Sequence, residues 1–144
     1  MKTIPIASDH AGFELKEYIK SSLEKEGYHF HDYGTFSTDS MDYPDVVHPL
    51  AIDIDKGTYE RGILICGSGN GVSMVANKYP HVRAALCWLP ELAVLARQHN
   101  DANILALPAR FIQKELAIEM VHLFFTTDFE GGRHCRRVEK IQKA

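Results

Sequence analysis

The strongest constraint on this chain is an alternation that runs from end to end. Short apolar runs bounded by glycine or polar residues are each followed by a stretch with helical spacing. Thr3–Ser8, His29–Tyr33, Gly62–Cys66, Val82–Cys87 and Ile104–Leu107 read as strands. Between the first two, Leu15, Tyr18, Ile19 and Leu23 recur on one helical face within Ala11–Glu26, and Gly27 supplies a stop. Pro44 opens a helix to about Lys56 after a polar loop over Gly34–Tyr43, and another is expected over Gly71–Lys78. Pro90 opens a further one near Glu91, while Ile112, Leu116, Met120 and Phe124 line the face of the next. The charged segment Gly132–Lys143 is expected to form a C-terminal helix.

Strands that alternate with helices predict an α/β fold, a mainly parallel five-stranded sheet covered on both faces in an α/β/α sandwich. At 144 residues, 45% of them hydrophobic, the chain suits a single domain over 1–144 with a sizeable core. A net charge of −3 leaves no basic footprint for nucleic acid. No run is long enough to span a bilayer, and the N-terminus lacks a signal-peptide h-region, so no membrane partner is expected. Cys66, Cys87 and Cys135 cannot make a complete disulfide framework and read as reduced thiols, which points to the cytoplasm.

In parallel sheets ligands bind beyond the carboxyl ends of the strands, and polar residues gather there. Asp9 and His10 follow the first strand, Cys66 and its loop the third, and Arg110 comes soon after the fifth. The loop Gly67-Ser68-Gly69-Asn70-Gly71 can bring backbone N–H groups close to an anion at a helix start. Its spacing is not G-x-G-x-x-G, because Gly71 arrives one place early, and Asn77-Lys78 lies too far on for a P-loop. Val72 stands where a cysteine phosphatase needs arginine. The competing reading is a tight turn beside a buried, inert thiol. Three glycines next to Cys66 shift the balance toward chemistry, since a helix N-terminus favours negative charge on sulfur.

Asp9 could cap the helix that follows it, or, with His10, face the crevice. Arg97 and His99 suit a helix C-terminus, and Asn100 and Asp101 a turn. Even so, His99 titrates near neutrality and is the natural acid beside a thiolate base. Arg110, Arg133, Arg136 and Arg137 take a quarter of the 16 Lys and Arg of an acidic chain, and arginine matches phosphate bidentately. A solvated helix face is the other account of that run. His29 and His31 share a strand face but find no third ligand nearby, so no metal site is expected.

Taken together, Ser8-Asp9-His10-Ala11-Gly12-Phe13, Asp42-Tyr43-Pro44, Ile65 through Gly71 with Ala76-Asn77-Lys78, Arg97 through Asn103, and Phe129 through His134 with Arg137-Val138 resemble the type B ribose-5-phosphate isomerases, in the family that includes galactose-6-phosphate isomerase subunits. The likeness covers nearly the whole chain in order. It implies a Rossmann-like fold and an aldose–ketose isomerase of the pentose phosphate pathway that needs no metal or other cofactor. By this resemblance Cys66 is the proton-transferring base and His99 opens the sugar ring. Gly67, Ser68, Gly69, Asn70 and Gly71 hold the enediolate. Asp9, His10, Tyr43 and Asn100 contact the substrate, and Arg110, Arg133, His134 and Arg137 hold its phosphate. Asn70 occupies the place where a second lineage carries a glutamate base, so the likeness is to the cysteine lineage. It also implies a homodimer or homotetramer with shared active sites and the C-terminal helix, about 132–143, at a subunit interface. A hexose phosphate (allose or galactose 6-phosphate) is the alternative substrate. A non-catalytic phosphosugar-binding module is a further alternative.

Overall fold

In the structure, a computed structural model that describes residues 3–142, five strands and six helices follow one another in near-strict alternation. In chain order they are β1 (Thr3–Ser8), α1 (Phe13–Glu24), β2 (His29–Asp32), α2 (Pro44–Asp55), β3 (Gly62–Cys66) and α3 (Asn70–Ala76). There follow β4 (Ala84–Leu86), α4 (Pro90–Asn100), β5 (Ile104–Pro108), α5 (Lys114–Thr126) and α6 (Arg133–Lys140). All four strand pairings are parallel, in the order β2-β1-β3-β5-β4.

The apolar runs are continuous rather than alternating because both sheet faces are covered. Every residue of β3 and β5 is buried. Ile63, Ile65, Leu105 and Leu107 pack on one side against Ile19 and Leu23 of α1, Ala93 of α4, and Met120 and Phe124 of α5. Leu64, Cys66, Ile104 and Ala106 face the other side, against Val47, Leu50 and Ile54 of α2 and Val72 and Ala76 of α3. Each large side chain so buried contributes roughly 1.5–3 kcal/mol. The predicted three-layer α/β/α sandwich is therefore present, with the whole sheet parallel.

Boundaries move where side chains intervene. The first helix starts at Phe13 rather than Ala11, because the Gly12 N–H is drawn to the Asp9 carbonyl at 3.2 Å and to Asp9 Oδ1 at 2.9 Å. The fourth strand starts at Ala84 rather than Val82. The Val82 N–H closes a turn on the Tyr79 carbonyl, and Asn103 Oδ1 takes the Arg83 N–H at 2.7 Å. The second strand stops one residue short of Tyr33, where the Asp32 side chain turns to cations of α1. The third helix runs from Asn70 to Ala76, and the last ends at Lys140; the expected end at Lys143 lies outside the described residues.

Candidate active site

Parallel strands deliver the residues that follow them to one edge of the sheet. The strand order reverses direction between β1 and β3, and the carboxyl ends of strands at such a switch point are where α/β sheets bind ligands. Asp9 and His10 leave β1 there, and Cys66 ends β3 beside them, the two joined by a hydrogen bond from the Asp9 N–H to the Ile65 carbonyl at 3.2 Å. Gly12 seats α1 on this joint, since a Cβ at that position would lie 2.9 Å from the Ile65 carbonyl oxygen.

Cys66 is 5% exposed, and its Sγ accepts the Gly69 N–H at 3.1 Å. Gly69 reaches that position with φ +77°, and a Cβ there would run into Leu86 Cδ1. Asn70 N–H donates to Ser68 Oγ at 3.3 Å, and Ser73 Oγ donates to the Gly69 carbonyl at 2.7 Å. The first-turn amides of Gly71 and Val72 have no acceptor inside α3. The sulfur therefore accepts one fixed N–H, and the free first-turn amides beside it are donors of the kind that hold an oxyanion.

Two glycines of the loop give room to side chains from elsewhere. Tyr43 lies against Gly71, where a Cβ would be 2.6 Å from its ring. Arg110 lies against Gly67, 2.9 Å from a Cβ placed there, and its own N–H bonds the Gly67 carbonyl at 3.0 Å. His10 Nδ1 accepts the Met41 N–H at 3.3 Å, which puts the proton of the neutral ring on Nε2. Asp9, His10, Tyr43, Cys66 through Gly71 and Arg110 are thus brought to one edge. The loop also borders a cavity of about 450 Å³ lined by Ser68, Asn70, Leu86, Trp88, Pro108 and Phe111. A cavity of about 500 Å³ at the opposite edge carries Arg61, Arg83 and Arg97. Their guanidinium groups are held by the carbonyls of Phe124, Asp101 and Ala102 and by the Asp101 carboxylate, so that cavity serves the fold.

His99 and Asn100 are elsewhere. Helix α4 leaves the carboxyl end of β4 and returns to the start of β5, so its last turn sits at the opposite edge, about 15 Å along an eleven-residue helix. Within one chain His99 does not stand beside Cys66, contrary to the sequence expectation, because the turn that carries it precedes β5 instead of following it. The segment after α5 reaches the same place: Glu130 N–H bonds the Gln98 carbonyl at 3.0 Å. The His99 and His134 rings stack at 4.3 Å, with Arg133 and Arg137 exposed on the same short helix. Each chain carries two clusters at opposite edges of its sheet. One holds Cys66, and the other holds His99, Asn100, Arg133, His134 and Arg137.

Several charged groups escaped the sequence reading. Lys16 is fully buried in α1, its Nζ 2.6 and 2.7 Å from the Asp32 carboxylate oxygens, and Lys20 adds a contact at 2.9 Å. Burial opposes charge on Asp32, but the two lysines and the Gly34 N–H outweigh it and hold its carboxyl below the usual range. Lys20 is likewise pulled down by burial and held up more strongly by Asp32, Glu17 and Glu24, for a net rise. The Lys16 ammonium also lies 5.0 Å from the Phe36 ring centre, which ties down the loop leading to Tyr43. A lysine on the stripe of Ile19 and Leu23 was the available signal. Burial pushes the Cys87 thiol up to about 12, so it is inert at neutral pH. His31 stacks on Tyr33 at 4.0 Å and meets the Tyr59 hydroxyl at 2.9 Å.

Comparison with known proteins identifies the family of this fold. The sequence profile of the family described as Ribose/Galactose Isomerase matches residues 4–141. The chain is 43% identical to ribose-5-phosphate isomerase B of Escherichia coli, over 98% of this chain and 95% of that one. It is 46% identical to the probable ribose-5-phosphate isomerase B of Mycoplasma pneumoniae, over 96% and 91%. Among solved structures, the Thermotoga maritima ribose 5-phosphate isomerase superposes with a TM-score of 0.96 at 50% identity, covering 99% of this chain and 98% of that one. The Mycoplasma genitalium ribose-5-phosphate isomerase B, solved with bound ribulose-5-phosphate, gives 0.92 at 43% identity, covering 98% and 94%. The chain belongs to the ribose/galactose isomerase family.

Proposed function

We propose that this chain interconverts ribose 5-phosphate and ribulose 5-phosphate, with each active site assembled from two copies of the chain. The observation that carries the reading is the Cys66 sulfur at the mouth of the glycine loop, joined to the family relationship. Cys66 takes the proton from C2 of the open-chain aldose, a proton passes from O2 to O1 in the enediolate, and the same sulfur returns its proton to C1. The enediolate formed between these steps carries its charge on oxygen, and the loop amides with the Ser68 hydroxyl hold it. Asp9, His10 and Tyr43 contact the sugar, and Arg110 adds charge beside Gly67.

The remaining work falls to the His99 cluster of a second copy, because one chain holds the two clusters at opposite edges of the sheet. There His99 protonates the ring oxygen to open the furanose, and Asn100 contacts the sugar. Arg133, His134 and Arg137 hold the phosphate, positioning the reacting carbons. A homodimer is the smallest assembly that satisfies this. Its interface takes in α6, and a cytoplasmic location suits the free thiols.

The purified chain is expected to equilibrate the two pentose phosphates in the presence of a chelator, and faster than it turns over allose 6-phosphate. Cys66→Ala should lower kcat by on the order of 10²–10⁴. Full activity in that variant would remove Cys66 as the base.

A further inference from the structure

Glu130 stands between two imidazoles. Its Oε1 lies 3.5 Å from His134 Nε2 and 3.9 Å from His99 Nε2. The two rings are nearly parallel, 12° apart, and aim the same nitrogen at the same carboxylate. One ligand atom from each of the three residues falls within 4.8 Å of the others. Three separate segments supply them, and the backbone fixes their approach. Glu130 N–H is bonded to the Gln98 carbonyl, and His134 N–H to the Gly131 carbonyl at 3.1 Å. Gly131 and Gly132, at φ +72° and +57°, make the turn between Glu130 and His134.

We propose that His99, Glu130 and His134 form a binding site for a divalent transition metal of the Zn²⁺ class, and that the bound ion inhibits the enzyme. Two imidazole nitrogens and one carboxylate oxygen are the donors of an open zinc site, with water completing the coordination. The same donors disfavour Mg²⁺ and Ca²⁺, which prefer oxygen throughout. An imidazole binds a metal in its own plane, so the stack must open slightly. His99, 39% exposed, has room to swing. The positive charge of Arg133 and Arg137 on the same helix weakens the site relative to a structural zinc centre. Inhibition follows because the ion occupies the Nε2 of His99 and that of His134, two groups assigned to the substrate. Binding stands on geometry alone, whereas inhibition rests on the isomerase reading.

Full-length protein is titrated with Co²⁺, then with Zn²⁺ in competition. The expected result is a set of visible d–d bands, without sulfur-to-metal charge transfer, that Zn²⁺ abolishes. Glu130→Gln, an exposed position, should weaken Co²⁺ binding by on the order of 10–100-fold and shift Zn²⁺ inhibition by the same factor, each variant measured against its own metal-free turnover. Chelator should restore the wild-type rate. Equal Zn²⁺ sensitivity in wild type and Glu130→Gln, or a thiolate band assigning the ion to Cys66 or Cys135, overturns the proposal. If the chain binds Co²⁺ through Glu130 but isomerises neither pentose phosphate, the site stands and the functional reading fails. If it isomerises but shows no Co²⁺ bands, the site fails alone.

Discussion

Lys16 has none of its side chain exposed, and it sits one helical turn from Ile19 on a face that packs against the sheet. A buried ammonium is tolerated only with a partner, and Asp32 supplies both carboxylate oxygens. Lys16→Ala should therefore cost about 3 kcal/mol, since it leaves Asp32 with only Lys20 and the Gly34 N–H. Urea unfolding at neutral pH measures this. Asp32 is held below its unfolded value, about 3.9, so its contribution is present above that value and lost as pH falls through the lowered one. Lys20 is raised above about 10.4, so its contribution is present below that value and lost as pH rises through the raised one. The contribution of this cluster should be flat between these limits and fall at both ends, and Asp32→Asn should remove its acid limb. Lys16 was passed over on its apolar stripe, and its partner was not legible because Asp32 reaches it only through the β1–β2 register.

At the scale of elements, the loop after β3 was legible because its chemistry is local. Glycines at 67, 69 and 71 announced close approach, and the structure fills two of those spaces with Arg110 and Tyr43. Which side chains would fill them was not legible, since they arrive from residues 43 and 110 through tertiary packing. Gly71→Ala is a direct test of that packing. A methyl group at Gly71 forces the Tyr43 ring aside, and a displacement of roughly 1 Å can cost about 10² in rate. We expect kcat/KM to fall by about that factor with little change in thermal midpoint, as the ring lies at the surface. Strand limits were less legible than strand existence. Asn77 brackets Ala84, its Oδ1 taking the Ala84 N–H at 2.8 Å and its Nδ2 donating to the Ala84 carbonyl at 3.1 Å, and no apolar pattern encodes such a clamp.

For the whole molecule, continuous apolar runs were enough to predict a parallel sheet covered on both faces, because a strand buried on two sides has no polar face to display. The separation of the Cys66 and His99 clusters was not visible in the same way. His99 and Cys66 both flank strands, and only the direction of α4 shows that they flank opposite ends. Shared sites can be tested by mixing. Cys66→Ala and His99→Ala proteins should each be nearly inactive alone. Dissociated and reassociated together, they should regain about a quarter of wild-type activity, because half of randomly paired dimers hold one intact site of two. No recovery, with mixed dimers confirmed by mass, would place both residues in one chain's site.

The eleven-residue length of α4 has a kinetic consequence. On the roles proposed for Cys66 and His99, a chain that keeps the two at opposite edges of one sheet cannot turn over by itself. At high dilution the rate then falls with the square of chain concentration rather than in proportion to it, as the population of paired chains thins. Turnover per chain then becomes a gauge of how much of this protein is present, on a scale set by the dissociation constant of the pair.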